Sequence, residues 1–265
     1  MRRGTLVPVA LILGLVAIFF FLARPYQHEP RPEAPRSGNE YPRTAPAAPR
    51  IEEPPRTQIF YLFDVSQSIH TAVPGSPYSR LVPLLKRSVR ALREDGAIAS
   101  PQLHRVGTIS GLSLNQSPLC VIAIAEPTIF VPQDTGGVGQ ELNDCESRLL
   151  GLSAVPYTDI SGAIKYASLA LQGGENVSKT IVMFTDLEED LPPGQEPAVA
   201  DLSSVCVAVF YEITGHVPSK PRELDVRIRE WRARFESWGA AGTLFRHAAA
   251  FSSSDLARFV GGCKK

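Results

Sequence analysis

The chain has 265 residues, with 27 basic and 27 acidic side chains and a formal net charge of zero. That balance argues against a nucleic-acid binder working through bulk electrostatics. Once any targeting segment is set aside, enough chain remains for one medium-sized domain with its own core.

The first expected element is apolar. Arg2 and Arg3 precede Thr5–Ala23, a run of 19 residues without a charge. As a helix it spans about 28 Å at ~1.5 Å per residue, close to a hydrocarbon core of ~30 Å. The run closes on Phe-Phe-Phe-Leu-Ala-Arg-Pro, without the small-x-small pattern of a cleavage site, and no cysteine lies near it for lipid attachment. Residues 1–23 therefore read as an uncleaved signal-anchor spanning the membrane through residues 5–23. The basic flank keeps the amino end cytoplasmic and places the rest on the periplasmic or extracytoplasmic side. Residues 24–57 carry nine prolines in 34 positions, with mixed charges and few aliphatics. Such a segment cannot bury enough surface to offset its ordering entropy, and it reads as a disordered tether reaching about 100 Å when extended.

From residue 58 onward, strands and helices alternate. Gln58–Phe63 is a continuous apolar run, as in a central strand covered on both faces. Leu81, Leu84, Leu85, Val89 and Leu92 follow at helical spacing, with Pro83 expected in the first turn or at a kink. Short strands are expected at His104–Ile109 and Cys120–Ala125. The glycine-rich segment Val131–Asp144 reads as an exposed loop leading into a short helix at 145–151. A helix over 157–171 has Thr158 or Asp159 as its cap. Strands at Lys179–Phe184 and Ser204–Tyr211, a helix over Arg222–Trp238, a strand at Gly242–Ala249 and a helix over Ser253–Val260 complete the chain. The class is α/β: a doubly wound, mostly parallel sheet flanked by helices, in one domain over 58–265. Such sheets hold ligands at the carboxyl ends of their strands.

Asp64 follows the first strand and Asp186 a later one, so both carboxylates belong at that rim. Ser66 and Ser68 alternate with Asp64, so an extended loop would point all three side chains the same way. Thr158 precedes a helix whose amino end faces the same rim. Two carboxylates and three hydroxyls are hard oxygen donors, suited to Mg²⁺, Mn²⁺ or Ca²⁺ and not to zinc.

The pattern Asp64-Val65-Ser66-Gln67-Ser68, a distant Thr158 within TDISGAI and Asp186 within IVMFTDLEED resembles the von Willebrand factor type A domain with its metal-ion-dependent adhesion site. The resemblance extends in element order over roughly 57–263. It implies a non-enzymatic domain in which Ser66, Ser68 and Thr158 contact a divalent cation, Asp64 and Asp186 close the site, and a partner protein's carboxylate completes the shell. Many members have glycine after the second aspartate. Here Leu187-Glu188-Glu189-Asp190 follows; the three acids read first as a solvated loop, with repulsion of an acidic partner or binding of a second cation as the alternatives.

Several other features have plainer readings. His70 near Ser68 lacks a GxSxG nucleophile elbow and reads as an ordinary surface histidine. Asn176-Val177-Ser178 fits a glycosylation acceptor only in a eukaryotic secretory setting. Trp231, Phe235 and Trp238 read as core packing on one helix face. Of three possible cysteine pairings, the placement of Cys206 at the start of a parallel strand and Cys263 after the last helix favours Cys206–Cys263, which leaves Cys120–Cys145. The competing reading is a magnesium-dependent phosphatase-like hydrolase with Asp64 as nucleophile and Asp186 and Asp190 holding the ion. Haloacid-dehalogenase-like enzymes of that kind have a second aspartate where Ser66 stands, and a serine cannot replace its proton chemistry near neutral pH. Neither a nucleic acid nor a small-molecule substrate is expected.

Overall fold

A computed structural model of the chain describes residues 54–70, 75–95, 98, 100–126, 135–174, 176–214 and 221–263. The expected signal-anchor and nearly all of the proline-rich tether lie outside these residues. Among the described residues no helix is long and apolar enough to cross a membrane.

Six strands form one sheet in the order β3-β2-β1-β4-β5-β6. They are β1 (Thr57–Asp64), β2 (Gln102–Ile109), β3 (Cys120–Ile124), β4 (Ser178–Thr185), β5 (Val205–Tyr211) and β6 (Gly242–His247). Only β3 runs antiparallel, against β2; the other pairs are parallel. The helices are α1 (Pro77–Glu94), α2 (Thr135–Leu150), α3 (Ile160–Ala170), α4 (Pro221–Ser237) and α5 (Ser253–Gly262).

The alternation of side chains along β1 divides the core. Ile59, Tyr61 and Phe63 face one layer with Leu81, Leu85 and Val89 of α1, Leu142 and Leu149 of α2 and Leu256 and Val260 of α5. Phe60 and Leu62 face the other, with Ile160 and Ile164 of α3 and Trp231 and Phe235 of α4. Because both faces are covered, β1 is buried at all eight positions. That is why its sequence reads as an unbroken apolar run rather than an alternating one. From β1 the chain winds outward to β2 on one side and later returns to β4 on the other. The carboxyl ends of β1 and β4 therefore form the topological switch point, where open parallel sheets leave a crevice.

Two expectations need correction, and the first-turn alternative for Pro83 falls. The glycine-rich segment is largely helical: α2 starts at Thr135, well before the expected helix at 145–151. Val138, Leu142, Cys145 and Leu149, spaced four, three and four apart, are buried on one face, and Cys145 is bridged to Cys120. Burial and cross-link outweigh the poor helix propensity of glycines confined to the first five residues. Pro83 lies past the first turn, because α1 begins at Pro77, where Ser76 accepts from the Ser79 amide. Pro77 at the first helical position needs no amide partner. The strand expected to reach Ala249 stops at His247, and Ala248–Ala250 form a 3₁₀ turn. Both disulfides are as the sequence favours: Cys206–Cys263 and Cys120–Cys145.

Candidate metal centre

Asp64 is the last residue of β1, and in the parallel register Phe63 pairs with Phe184, so Thr185 and Asp186 emerge beside it. Asp64 is fully buried, yet both carboxylate oxygens are engaged. Oδ1 accepts from the Ser66 amide at 2.9 Å and Oδ2 from the Thr185 hydroxyl at 2.7 Å. The first of these closes a turn, with Ile69 and His70 amides donating to the Ser66 carbonyl. The two serines therefore converge through a turn rather than through an extended loop, and their hydroxyls lie 2.9 Å apart. The Ser68 hydroxyl pulls the Asp186 carboxyl down against its burial, so it faces that carboxylate. Asp64, Ser66, Ser68 and Asp186 thus gather at the switch point.

Thr158 is brought to this rim by its backbone. Ser66 bridges Val155 in parallel fashion, and Thr158 bridges Asp190 with reciprocal hydrogen bonds of 2.7 and 3.0 Å. The segment 155–158 is therefore laced to both the serine loop and the loop after β4. Thr158 itself is buried. Asp159, not Thr158, caps α3, accepting from the Gly162 amide at 2.7 Å. That leaves the Thr158 hydroxyl uncommitted to capping.

Electrostatically the cluster is strained. Burial, and then the facing Asp186 carboxylate, push Asp64 up to about 7, while its hydrogen bonds from Ser66 and Thr185 pull the other way. Burial likewise raises Asp186 above the usual carboxylate range. The nearest guanidinium, Arg227, donates to the Asp186 backbone carbonyl at 3.0 Å and lies 3.7 Å from Glu188, so it is shared. Two desolvated carboxylates held together in this way fit a cation. The donors are all oxygens, three of them neutral, a set that suits Mg²⁺, Mn²⁺ or Ca²⁺. Among the described residues no cluster of three or more His, Cys, Asp or Glu is arranged to hold a metal ion, so a site here must draw on the hydroxyls.

The loop after β4 departs from expectation. Its acids are not simply solvated: Glu189 accepts from the Ser161 amide at 2.7 Å and pairs with Arg234 at 2.8 Å, and Glu188 pairs with Arg227. Asp190 is exposed and the Glu188 side chain is 46% exposed, whereas that of Glu189 is 10% exposed. Leu187, where a glycine is common in the family the motif resembles, sits at φ 63° with its side chain buried. That left-handed backbone costs a leucine on the order of 1 kcal/mol. The Leu187 amide donates to the Thr185 hydroxyl and its carbonyl accepts from the Trp231 indole at 3.1 Å.

Sequence reasoning missed four residues here. Thr185 locks Asp64, Thr214 donates to Asp186 Oδ2 at 3.3 Å, and Arg227 and Trp231 hold the loop from α4. Thr185 was adjacent to the motif; Thr214 left no signal in the sequence. The core reading of Trp231 and Phe235 holds, and Trp238 is half-buried beside them. His70 is half-buried, packed against the Tyr78 ring at 4.4 Å between centroids, rather than a surface side chain.

No family model matches the chain, and neither does any curated protein. Among solved structures it is similar to a conserved hypothetical protein BatB from Bacteroides thetaiotaomicron (14% identity, 78% of this chain and 98% of that one, TM-score 0.48). It is also similar to an aerotolerance-related membrane protein from Bacteroides fragilis (15% identity, 78% and 99%, TM-score 0.44). A third is the SpRpn10 VWA domain (14% identity, 76% and 93%, TM-score 0.41). At these identities the likeness concerns the fold alone.

Proposed function

We propose that this chain is a non-enzymatic, metal-dependent protein-binding domain, displayed outside the cytoplasmic membrane on its tether. In this reading Asp64, Ser66, Ser68, Thr158 and Asp186 hold Mg²⁺, Mn²⁺ or Ca²⁺. With only two charged donors, a bound divalent ion stays electrophilic enough to take a carboxylate from a partner protein. The chain's own residues do the rest. Ser66 and Ser68 present neutral oxygens from a tight turn. Thr185 and the Ser66 amide fix the Asp64 oxygens so that the carboxylate need not reorganise when charge arrives.

The observation that carries this reading is the pair of buried carboxylates, Asp64 and Asp186, facing each other at the switch point, with Asp64 bonded to the Ser66 amide and the Ser66 and Ser68 hydroxyls 2.9 Å apart beside them. Disulfide pairing of all four cysteines supports an oxidising compartment. The hydrolase alternative is less well supported. Asp64 is fully buried with both oxygens accepting hydrogen bonds, a poor state for a nucleophile that must reach a phosphoester, and Asp190 engages Thr158 through its backbone.

The test is capture of envelope proteins by the full chain in mild detergent, with and without chelator, beside a Ser66→Ala/Ser68→Ala variant. Capture should require both the cation and the serines. Recovery of the same proteins in every lane removes the metal from the mechanism.

A further inference from the structure

The α4 helix carries three donors on one face, Arg227, Trp231 and Arg234, spaced four and three residues apart. They meet the loop after β4 almost residue by residue. Arg227 donates to the Asp186 carbonyl at 3.0 Å, Trp231 to the Leu187 carbonyl at 3.1 Å, and Arg234 to the Glu189 carboxylate at 2.8 Å. Glu189 in turn accepts from the Ser161 amide in the first turn of α3, so the same helix face reaches the element that follows Thr158. The loop so held contains a buried leucine in the left-handed backbone region, a conformation that persists only when its surroundings over-determine it. Arg234 also lies over the Trp231 ring, 4.6 Å from its centroid, which fixes the guanidinium between indole and carboxylate.

Resting on the metal-site reading above, we propose that Arg227, Trp231 and Arg234 are positioning residues. They clamp the Asp186–Glu189 loop so that the Asp186 carboxylate and Thr158 sit together at the rim. None of them touches the cation. Their effect on cation affinity runs through the backbone of Asp186 and Leu187 and, by way of Glu189, through the start of α3. Peptide carbonyls are the points of attachment for Arg227 and Trp231, so substitutions there that keep the bulk of α4 but remove a donor should release the loop. Partners of ligating groups commonly matter at this level.

The full chain in mild detergent is titrated with Mn²⁺ and Mg²⁺ by calorimetry for wild type, Arg227→Met, Trp231→Phe and Arg227→Lys. Amide exchange is followed at Leu187, Glu188 and the β4 residues Val182 and Met183. Arg227→Met and Trp231→Phe should weaken the cation by about 10- to 100-fold. The Leu187 and Glu188 amides should exchange faster in chelator, with Val182 and Met183 unchanged. Arg227→Lys, which keeps one donor for the Asp186 carbonyl, should recover most of the affinity. Arg90→Met on α1 controls for general destabilisation. The clamp is overturned if the loop amides exchange at wild-type rates in both variants. It is equally overturned if affinity falls no more than in the Arg90→Met control. Failure of the wild-type chain to bind either cation sinks the metal-site reading instead, and the exchange rates still report on whether α4 holds the loop.

Discussion

Asp64 should make the metal-free domain less stable when it ionises, and this can be measured directly. Its side chain rises from an ordinary 3.8 to about 7 because the charged form is desolvated and faces Asp186. A folded-state value above the unfolded one means that the folded chain binds the extra proton. The stabilisation is complete below about pH 4 and is lost as pH climbs through 7. At about 1.4 kcal/mol per tenfold change in proton affinity, the difference is on the order of 4 kcal/mol at pH 8. For a domain of this size that corresponds to roughly 10 °C in Tm. The perturbation is Asp64→Asn, which keeps the shape and removes the charge. The assay is urea unfolding of the chelated full chain at several pH values between 4.5 and 8. Wild type alone decides nothing, because buried His104 pulls the other way over an overlapping range. The difference between variant and wild type isolates Asp64 together with its repulsion of Asp186. It should grow with pH until the asparagine chain is the more stable at pH 8, and added Mn²⁺ or Mg²⁺ should restore only wild type. A difference that stays flat with pH, or an asparagine chain weaker than wild type at pH 8 in chelator, would refute the argument that ionised Asp64 is held at a cost.

His104 sits in a buried chain: Tyr61 lies 3.2 Å from Nδ1, Gln102 lies 3.0 Å from Nε2 and donates onward to the Leu92 carbonyl. Burial drives it from 6.5 down to about 3, so it contributes stability above pH 6.5 that is lost as pH falls towards 3. His104→Gln should narrow its stability deficit against wild type steadily as the urea series moves to acid; a constant deficit would contradict this. Gly162→Ala should break the α3 cap, since a methyl group there would overlap the Asp159 carboxylate. The expected loss is about 1 kcal/mol or more in urea unfolding, and a neutral result would show that Asp159 can cap from elsewhere. Leu187→Gly relieves the left-handed backbone but empties a buried site, so it should still destabilise the chain, by about 1–3 kcal/mol in the same assay.

The site was more legible than the loop that supports it. Asp64, Ser66, Ser68 and Asp186 could be placed because a continuous apolar run ending in aspartate marks the carboxyl end of a buried strand, and such ends share one rim. Thr158 was legible as a helix-start residue, although the capping role falls to Asp159. Local chemistry misled most where a tertiary partner intervened. The glycines of Val131–Asp144 read as loop until Val138, Leu142, Cys145 and Leu149 find α1 and Cys120. The acids Glu188 and Glu189 read as solvated until the arginines of α4 reach them. The Glu189–Arg234 contact pairs residues 45 positions apart, and no periodicity within either segment announces it.

Leu187 shows how such distant contacts can replace a local device. A glycine after Asp186 would adopt the left-handed turn at no steric cost, and the turn would then be set by the loop's own backbone. A leucine opposes the turn by on the order of 1 kcal/mol but buries a side chain whose removal from water is worth about 1.5–3 kcal/mol. The balance favours leucine only while the core beside α3 and α4 is in place to receive it and Trp231 holds its carbonyl. In this chain the backbone that presents Asp186 is therefore set by packing against helices rather than by the freedom of one residue. The geometry of the candidate metal centre is consequently tied to where α4 sits.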